Sequence, residues 1–200
     1  MTNRRSFLAF LCFLVVLLPG CSKHDQLITE YQECEEKWAN LEAQLQRRYD
    51  LIPNIVSTVK AQAAHEKDTY TAVTEARSQA ASIKLTSADL EDPAKMAAFS
   101  KAQGELSGAL SRLMMVQERY PELRSSEAFA DLRIELEGTE NRILRAREEY
   151  NRVVKEYNTT LMKVSGEILN SITGQKFAAR IPYKATAAAV DGPAPKVSFD

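Results

Sequence analysis

The sequence predicts an all-α protein, an antiparallel up-and-down four-helix bundle with an extended C-terminal tail. Three observations carry that prediction. Apolar residues recur at spacings of three and four over long stretches, the period of one helix face. Only 7 Gly and 7 Pro occur in 200 residues, which favours long helices over a turn-rich β fold. The composition, 44% apolar and 26% charged, suits one soluble domain with a tail.

The first helical segment runs from about Gln26 to Asp50, with Leu27, Tyr31, Cys34, Trp38, Leu41 and Leu45 on a bundle seam. A second covers Ile52 to Ile83, with Ile52, Ile55, Val59, Tyr70 and Val73 facing in. The seam stays in register past Pro53, which argues for one kinked helix. A single helix over 26–83 would measure about 87 Å, against about 40 Å for the third segment. Rods of comparable length pack better, so a break near Asp50–Pro53 is the favoured reading. A polar connection, Lys84 to Asp92, follows. Asp92-Pro93 is a start signal: the carboxylate caps free N–H groups and Pro fits the first turn.

The third segment buries Phe99, Leu106, Leu110, Leu113 and Val116, runs to Tyr120, and is stopped by Pro121. Ser125 or Ser126 caps the fourth, and Glu127 lies near its positive end. Phe129, Leu132, Leu136, Thr139, Ile143, Ala146, Tyr150, Val153, Tyr157, Val164 and Ile168 hold its heptad. The bundle is expected over 26–173. Residues 174–200, rich in Gly, Pro and Ala, read as an extended tail or strap, with Val197-Ser198-Phe199 able to dock.

Residues 1–20 have the form of a signal peptide: Arg4 and Arg5, then an apolar run from Phe7 to Leu18, shorter than a bilayer span. Leu18-Pro19-Gly20-Cys21 resembles a bacterial lipobox, so Cys21 is the expected lipidation site and residues 21–25 a lipidated tether. More than one acyl chain gives stable anchoring. Ser22 favours the outer membrane, facing the periplasm; a single-pass inner-membrane anchor is the alternative. Asn3-Arg4-Arg5-Ser6-Phe7-Leu8 fits a twin-arginine signal and a generic basic region equally.

Net charge is −1, and losing Arg4 and Arg5 leaves 24 basic against 27 acidic residues. No basic block could neutralise a phosphate backbone, so nucleic-acid binding is not expected. With Cys12 cleaved and Cys21 acylated, Cys34 stands alone, either a small core residue or a group for intermolecular pairing. His65-Glu66 is the one candidate for chemistry. A zinc-protease motif needs a second His four residues after the first, and position 69 is Thr. No enzyme, cofactor or metal is expected.

One polar set exceeds what an amphipathic helix needs: Thr139-Glu140-Asn141, Tyr150-Asn151 and Tyr157-Asn158. The two Tyr-Asn pairs are seven residues apart, on one stripe. Arg47, Arg48, Arg77, Arg142 and Arg147 could meet Glu118, Glu137 or Glu140 across helices. A network fixing register is the favoured reading, since buried polar groups must be paired. A groove for a partner peptide or lipid head group is the other.

The runs Arg47–Lys60, His65-Glu66, Ala76-Arg77, Glu118–Phe129, Leu136–Ile143 and Ala146–Asn158 resemble the LemA family of bacterial envelope proteins, over roughly Tyr31 to Val164. The resemblance implies a helical bundle, membrane attachment and no established enzymatic activity. Members usually begin with an uncleaved transmembrane helix, where this chain carries the lipobox. The expectation is a membrane-anchored, non-enzymatic envelope protein, a scaffold or interaction module with a protein partner. The alternatives are direct membrane organisation and a hydrolase using His65 and Glu66.

Overall fold

The structure, a computed structural model, describes residues 24–163 and 177–184 together with the backbone of residues 2–23. The described residues form five α-helices: α1 (Thr2–Gln62), α2 (Lys67–Ser82), α3 (Pro93–Met115), α4 (Pro121–Arg124) and α5 (Glu127–Lys163). No strand occurs among the described residues. Signal peptide, Cys21 and Val197–Phe199 lie outside the residues whose side chains are described. Among the described residues no helix is long and apolar enough to cross a membrane.

Cross-helix pairs give the directions. Arg47 meets Glu135, Trp38 meets Tyr150 and Tyr31 meets Tyr157, so α5 runs antiparallel to α1. Trp38 meets Phe99 and Arg48 meets Ser107, so α3 runs parallel to α1, with α2 returning between them. The result is the expected up-down-up-down all-α bundle. The predicted seams are buried: Leu27, Cys34, Trp38, Leu41 and Leu45 on α1, and Phe99, Leu106, Leu110 and Leu113 on α3. Phe129, Leu136, Ile143, Tyr150, Val153 and Tyr157 do the same on α5. Each large apolar side chain so buried contributes roughly 1.5–3 kcal/mol.

The favoured break at Asp50–Pro53 is corrected by the structure. α1 continues unbroken through Pro53, and the chain turns instead at Ala63–Glu66. Proline removes the N–H that would bond the carbonyl four residues back. Here that carbonyl belongs to Tyr49, and the Arg77 side chain on α2 supplies the missing donor, Nε to O at 2.7 Å. A remote arginine thus repairs the ladder and lets Ile52, Ile55 and Val59 stay on the α1 seam.

The start signals act as expected. Asp92 accepts from Ala94 N–H at 2.8 Å and Lys95 N–H at 3.3 Å, with Pro93 in the first turn. Ser126 Oγ accepts from Phe129 N–H at 3.3 Å at the start of α5. At the other end of α3, regular helix stops at Met115, a 3-10 turn follows at Val116–Glu118, and Pro121 opens the short α4 rather than ending α3. The segment 177–184 carries neither helix nor strand and lies along α5 as a strap.

Candidate functional site

Two polar clusters sit on this scaffold. The first is a hub around Arg48, which is 2% exposed. Its Nη1 donates to Ser107 Oγ and Glu140 Oε1, both at 3.0 Å, and its Nη2 to Gln103 Oε1. Gln103 donates onward to the Tyr49 hydroxyl, which donates to the Ala80 carbonyl at 3.4 Å. One chain of hydrogen bonds therefore joins α5, α1, α3 and α2. Burying the guanidinium costs free energy that Glu140 and the two neutral partners Ser107 and Gln103 offset, with Nε unpaired among the described residues, and these bonds require one helix order.

The second cluster is a clasp. Asn158 Nδ2 donates to the Arg180 carbonyl at 2.8 Å, and its Oδ1 accepts from Arg180 N–H at 2.9 Å. Asn151 does the same to Tyr183, at 2.9 and 2.8 Å. Tyr157 Oη donates to the Ala178 carbonyl at 3.0 Å and Tyr150 Oη to the Ile181 carbonyl at 3.3 Å. Ile181 N–H donates to the Leu90 carbonyl at 2.8 Å, and Pro182 has no N–H to satisfy. Every backbone donor from Arg180 to Tyr183 is thereby paired.

The spacing has a geometric cause. Seven helical residues rise about 10.5 Å at 1.5 Å each. Three extended residues advance about 10 Å at roughly 3.3 Å each. Tyr-Asn pairs one heptad apart thus meet strap residues three apart: Ala178 and Ile181 for the tyrosines, Arg180 and Tyr183 for the asparagines.

Two of the strap's side chains, Arg180 and Tyr183, are buried. Arg180, 1% exposed, lies over the Tyr31 ring with Cζ 4.4 Å from its centroid, and it pairs with Glu35. Its Nε and Nη1 have no hydrogen-bond partner among the described residues. Tyr183 packs against Phe99 at 5.4 Å and lies under Arg147 at 5.9 Å. Burial pushes the Tyr183 phenol up to about 12. It pushes the Cys34 thiol up to about 12 as well, against the opposing pull of Arg180. Cys34 is a buried free thiol held neutral.

The remaining sequence candidates disperse. Arg47 pairs with Glu135, and Glu137 with Arg133 at 2.9 Å on the same helix. Thr139, fully buried, donates to the Glu135 carbonyl at 2.8 Å and accepts from Arg142 at 2.9 Å. Glu66 accepts from Arg119 at 2.9 Å and Tyr120 Oη at 3.1 Å, tying the α1–α2 corner to the α3–α4 corner. His65, Glu118 and Asn141 are exposed and take no part in the hydrogen bonds of either cluster. The polar ends of Tyr150, Asn151, Tyr157 and Asn158 reach the strap, while the rings of Tyr150 and Tyr157 pack on Trp38 and Tyr31 of α1. Sequence reading missed Gln103, Ser107, Arg180 and Tyr183. Arg180 and Tyr183 had one available signal, a spacing of three that matches a heptad on the partner helix.

A sequence model described as the LemA family matches residues 37–199, a span that takes in hub, clasp and strap. This chain belongs to the LemA family. It is similar to the magnetosome protein MamQ of Magnetospirillum gryphiswaldense, 28% identical over 195 residues that cover 89% of this chain and 69% of that protein. It is also 28% identical to the magnetosome proteins MamQ 1 and MamQ 2 of Paramagnetospirillum magneticum. Those matches run over 188 residues, covering 86% of this chain and 68% of each relative. The polar runs that resemble LemA proteins therefore divide, in this member, between hub, clasp and helix corners.

Proposed function

We propose that this LemA-family chain is a non-enzymatic interaction module of the bacterial cell envelope, lipid-anchored through Cys21 and facing the periplasm, with the outer membrane favoured by Ser22. The observation that carries the non-enzymatic part is where the polar side chains are spent. Arg48, Glu140, Gln103 and Tyr49 bond one another across helices. The Tyr-Asn pairs bond backbone. Glu66 Oε2 accepts from Arg119 and Oε1 from Tyr120, so this carboxylate is engaged in tying two helix corners together, and the exposed His65 makes no hydrogen bond in either cluster. Family membership and the likeness to magnetosome proteins support a membrane-associated structural role. The lipobox-like Leu18–Cys21 supports the anchor.

Mass spectrometry of the mature N-terminus tests the anchor: a diacylated or triacylated Cys21 is expected. A Cys21→Ser chain that stayed equally membrane-bound would contradict it and favour a single-pass anchor. Crosslinking in intact cells tests the interaction role, with a reproducible envelope protein expected and its absence counting against the reading. Remodelling of liposomes by the acylated protein alone would move the conclusion to direct membrane organisation.

A further inference from the structure

The clasp reads its strap as a binding site reads a ligand. Its four polar side chains on α5 bond backbone atoms of the strap: four carbonyls and two N–H groups. This is recognition of an extended chain by main-chain hydrogen bonds, with side-chain pockets adding specificity, as in strand-adding peptide sites. Two pockets lie three residues apart. One is acidic and aromatic, taking the Arg180 cation between Glu35 and the Tyr31 ring. The other is aromatic, taking Tyr183 against Phe99.

The resident strap is an imperfect occupant. Arg180 is buried with Nε and Nη1 unpaired among the described residues, and an unpaired buried donor of a charged group is costly. That cost subtracts from what the backbone bonds contribute. Residues 177–184 belong to neither helix nor strand, so no helical ladder ties them to α5, and such an element opens locally at a fraction of the global stability.

We propose that the α5 groove is a peptide-binding site for an extended segment carrying Arg and an aromatic residue three positions later, and that residues 177–184 occupy it as a displaceable ligand in cis. A segment of the same chemistry supplied by another polypeptide takes the same bonds once the strap opens. The site gives the interaction role a ligand class without depending on the anchor: Cys21 acylation and peptide binding are read by different measurements, so either can fail alone.

The test uses the full chain and a fluorescent peptide of sequence Phe-Ala-Ala-Arg-Ile-Pro-Tyr-Lys. Arg180→Ala with Tyr183→Ala weakens the strap while leaving the groove intact. Fluorescence anisotropy should show this variant binding the peptide roughly tenfold or more tighter than the wild type, where the strap competes. Adding Asn151→Ala and Asn158→Ala should abolish that gain, and a peptide with Arg and Tyr changed to Ala should not bind. A folded strap-weakened variant that binds the peptide no better than a scrambled one overturns the proposal. Should that variant fail to fold, hydrogen exchange on the wild type decides. The Arg180 and Tyr183 amides should exchange roughly a hundredfold faster than buried α5 amides, and equal rates would make the strap a permanent part of the core and sink the idea.

Discussion

The hub and the clasp bury polar groups of similar number in the same bundle but by opposite means. The hub is charged, unrepeated, and built from side chains that bond other side chains across α1, α3 and α5, with one bond on to the α2 backbone. The clasp is neutral, repeated once per heptad, and built from side chains that bond backbone. Side-chain-to-side-chain bonding specifies which residues must meet, so the hub fixes helix order. Side-chain-to-backbone bonding specifies only that an extended chain lies there, so identity at the clasp must come from the pockets for Arg180 and Tyr183. The difference separates what holds the bundle from what holds the strap.

Breaking the hub should cost most. Arg48→Ala leaves Gln103 and Glu140 without their shared donor and a void at the centre. Removing one partner of a buried pair costs about 3–5 kcal/mol, and the half-exposed Glu140 places this case near the low end, about 3 kcal/mol. Urea unfolding followed by circular dichroism measures it, and a loss spread over the whole molecule is expected. Next comes the Pro53 repair. Arg77→Met should cost about 2 kcal/mol, because the Tyr49 carbonyl loses a charge-assisted partner. Pro53→Ala restores the helical N–H, so in that background Arg77→Met should cost about 1 kcal/mol less, read as a double-mutant cycle.

The smallest effect is expected at Cys34, beneath the strap. Burial next to Arg180 raises the folded pKa of Cys34 above its unfolded value. The folded state therefore favours the neutral thiol. Its contribution is fully present below the unfolded pKa of 9.0 and is lost as pH rises from there toward about 12. At pH 10 the loss should be about 1 kcal/mol. Cys34→Ala should flatten the fall in stability between pH 8 and 10 relative to the wild type, which keeps the same buried tyrosines as a shared background.

The fold was legible because a heptad seam needs only spacing. Leu27 to Leu45 and Phe129 to Tyr157 announce their buried faces, and Asp92 and Ser126 announce helix starts with the residues that cap them. Pro53 misled because its consequence was cancelled at a distance, by an arginine 24 residues on in a different helix. Nothing local to Asp50–Pro53 records that. Thr139 looked like part of an interhelical set and instead bonds its own helix and Arg142. The Tyr-Asn repeat was visible as a pattern, but its target was not. Residues 177–184 have no helical period, and their bonds are made by another element.

Asn151 and Asn158 hold the strap, while the rings of Tyr150 and Tyr157 also pack on Trp38 and Tyr31 of α1, so an asparagine variant separates strap from helices. Hydrogen exchange by NMR is measured on Asn158→Ala beside the wild type. The Arg180 amide should lose protection by roughly tenfold or more, Tyr183 less, and the buried amides of α1 and α5 should keep theirs. Unchanged Arg180 protection, or a uniform loss along α1 and α5, would instead make Asn158 a device for helix register and contradict the account.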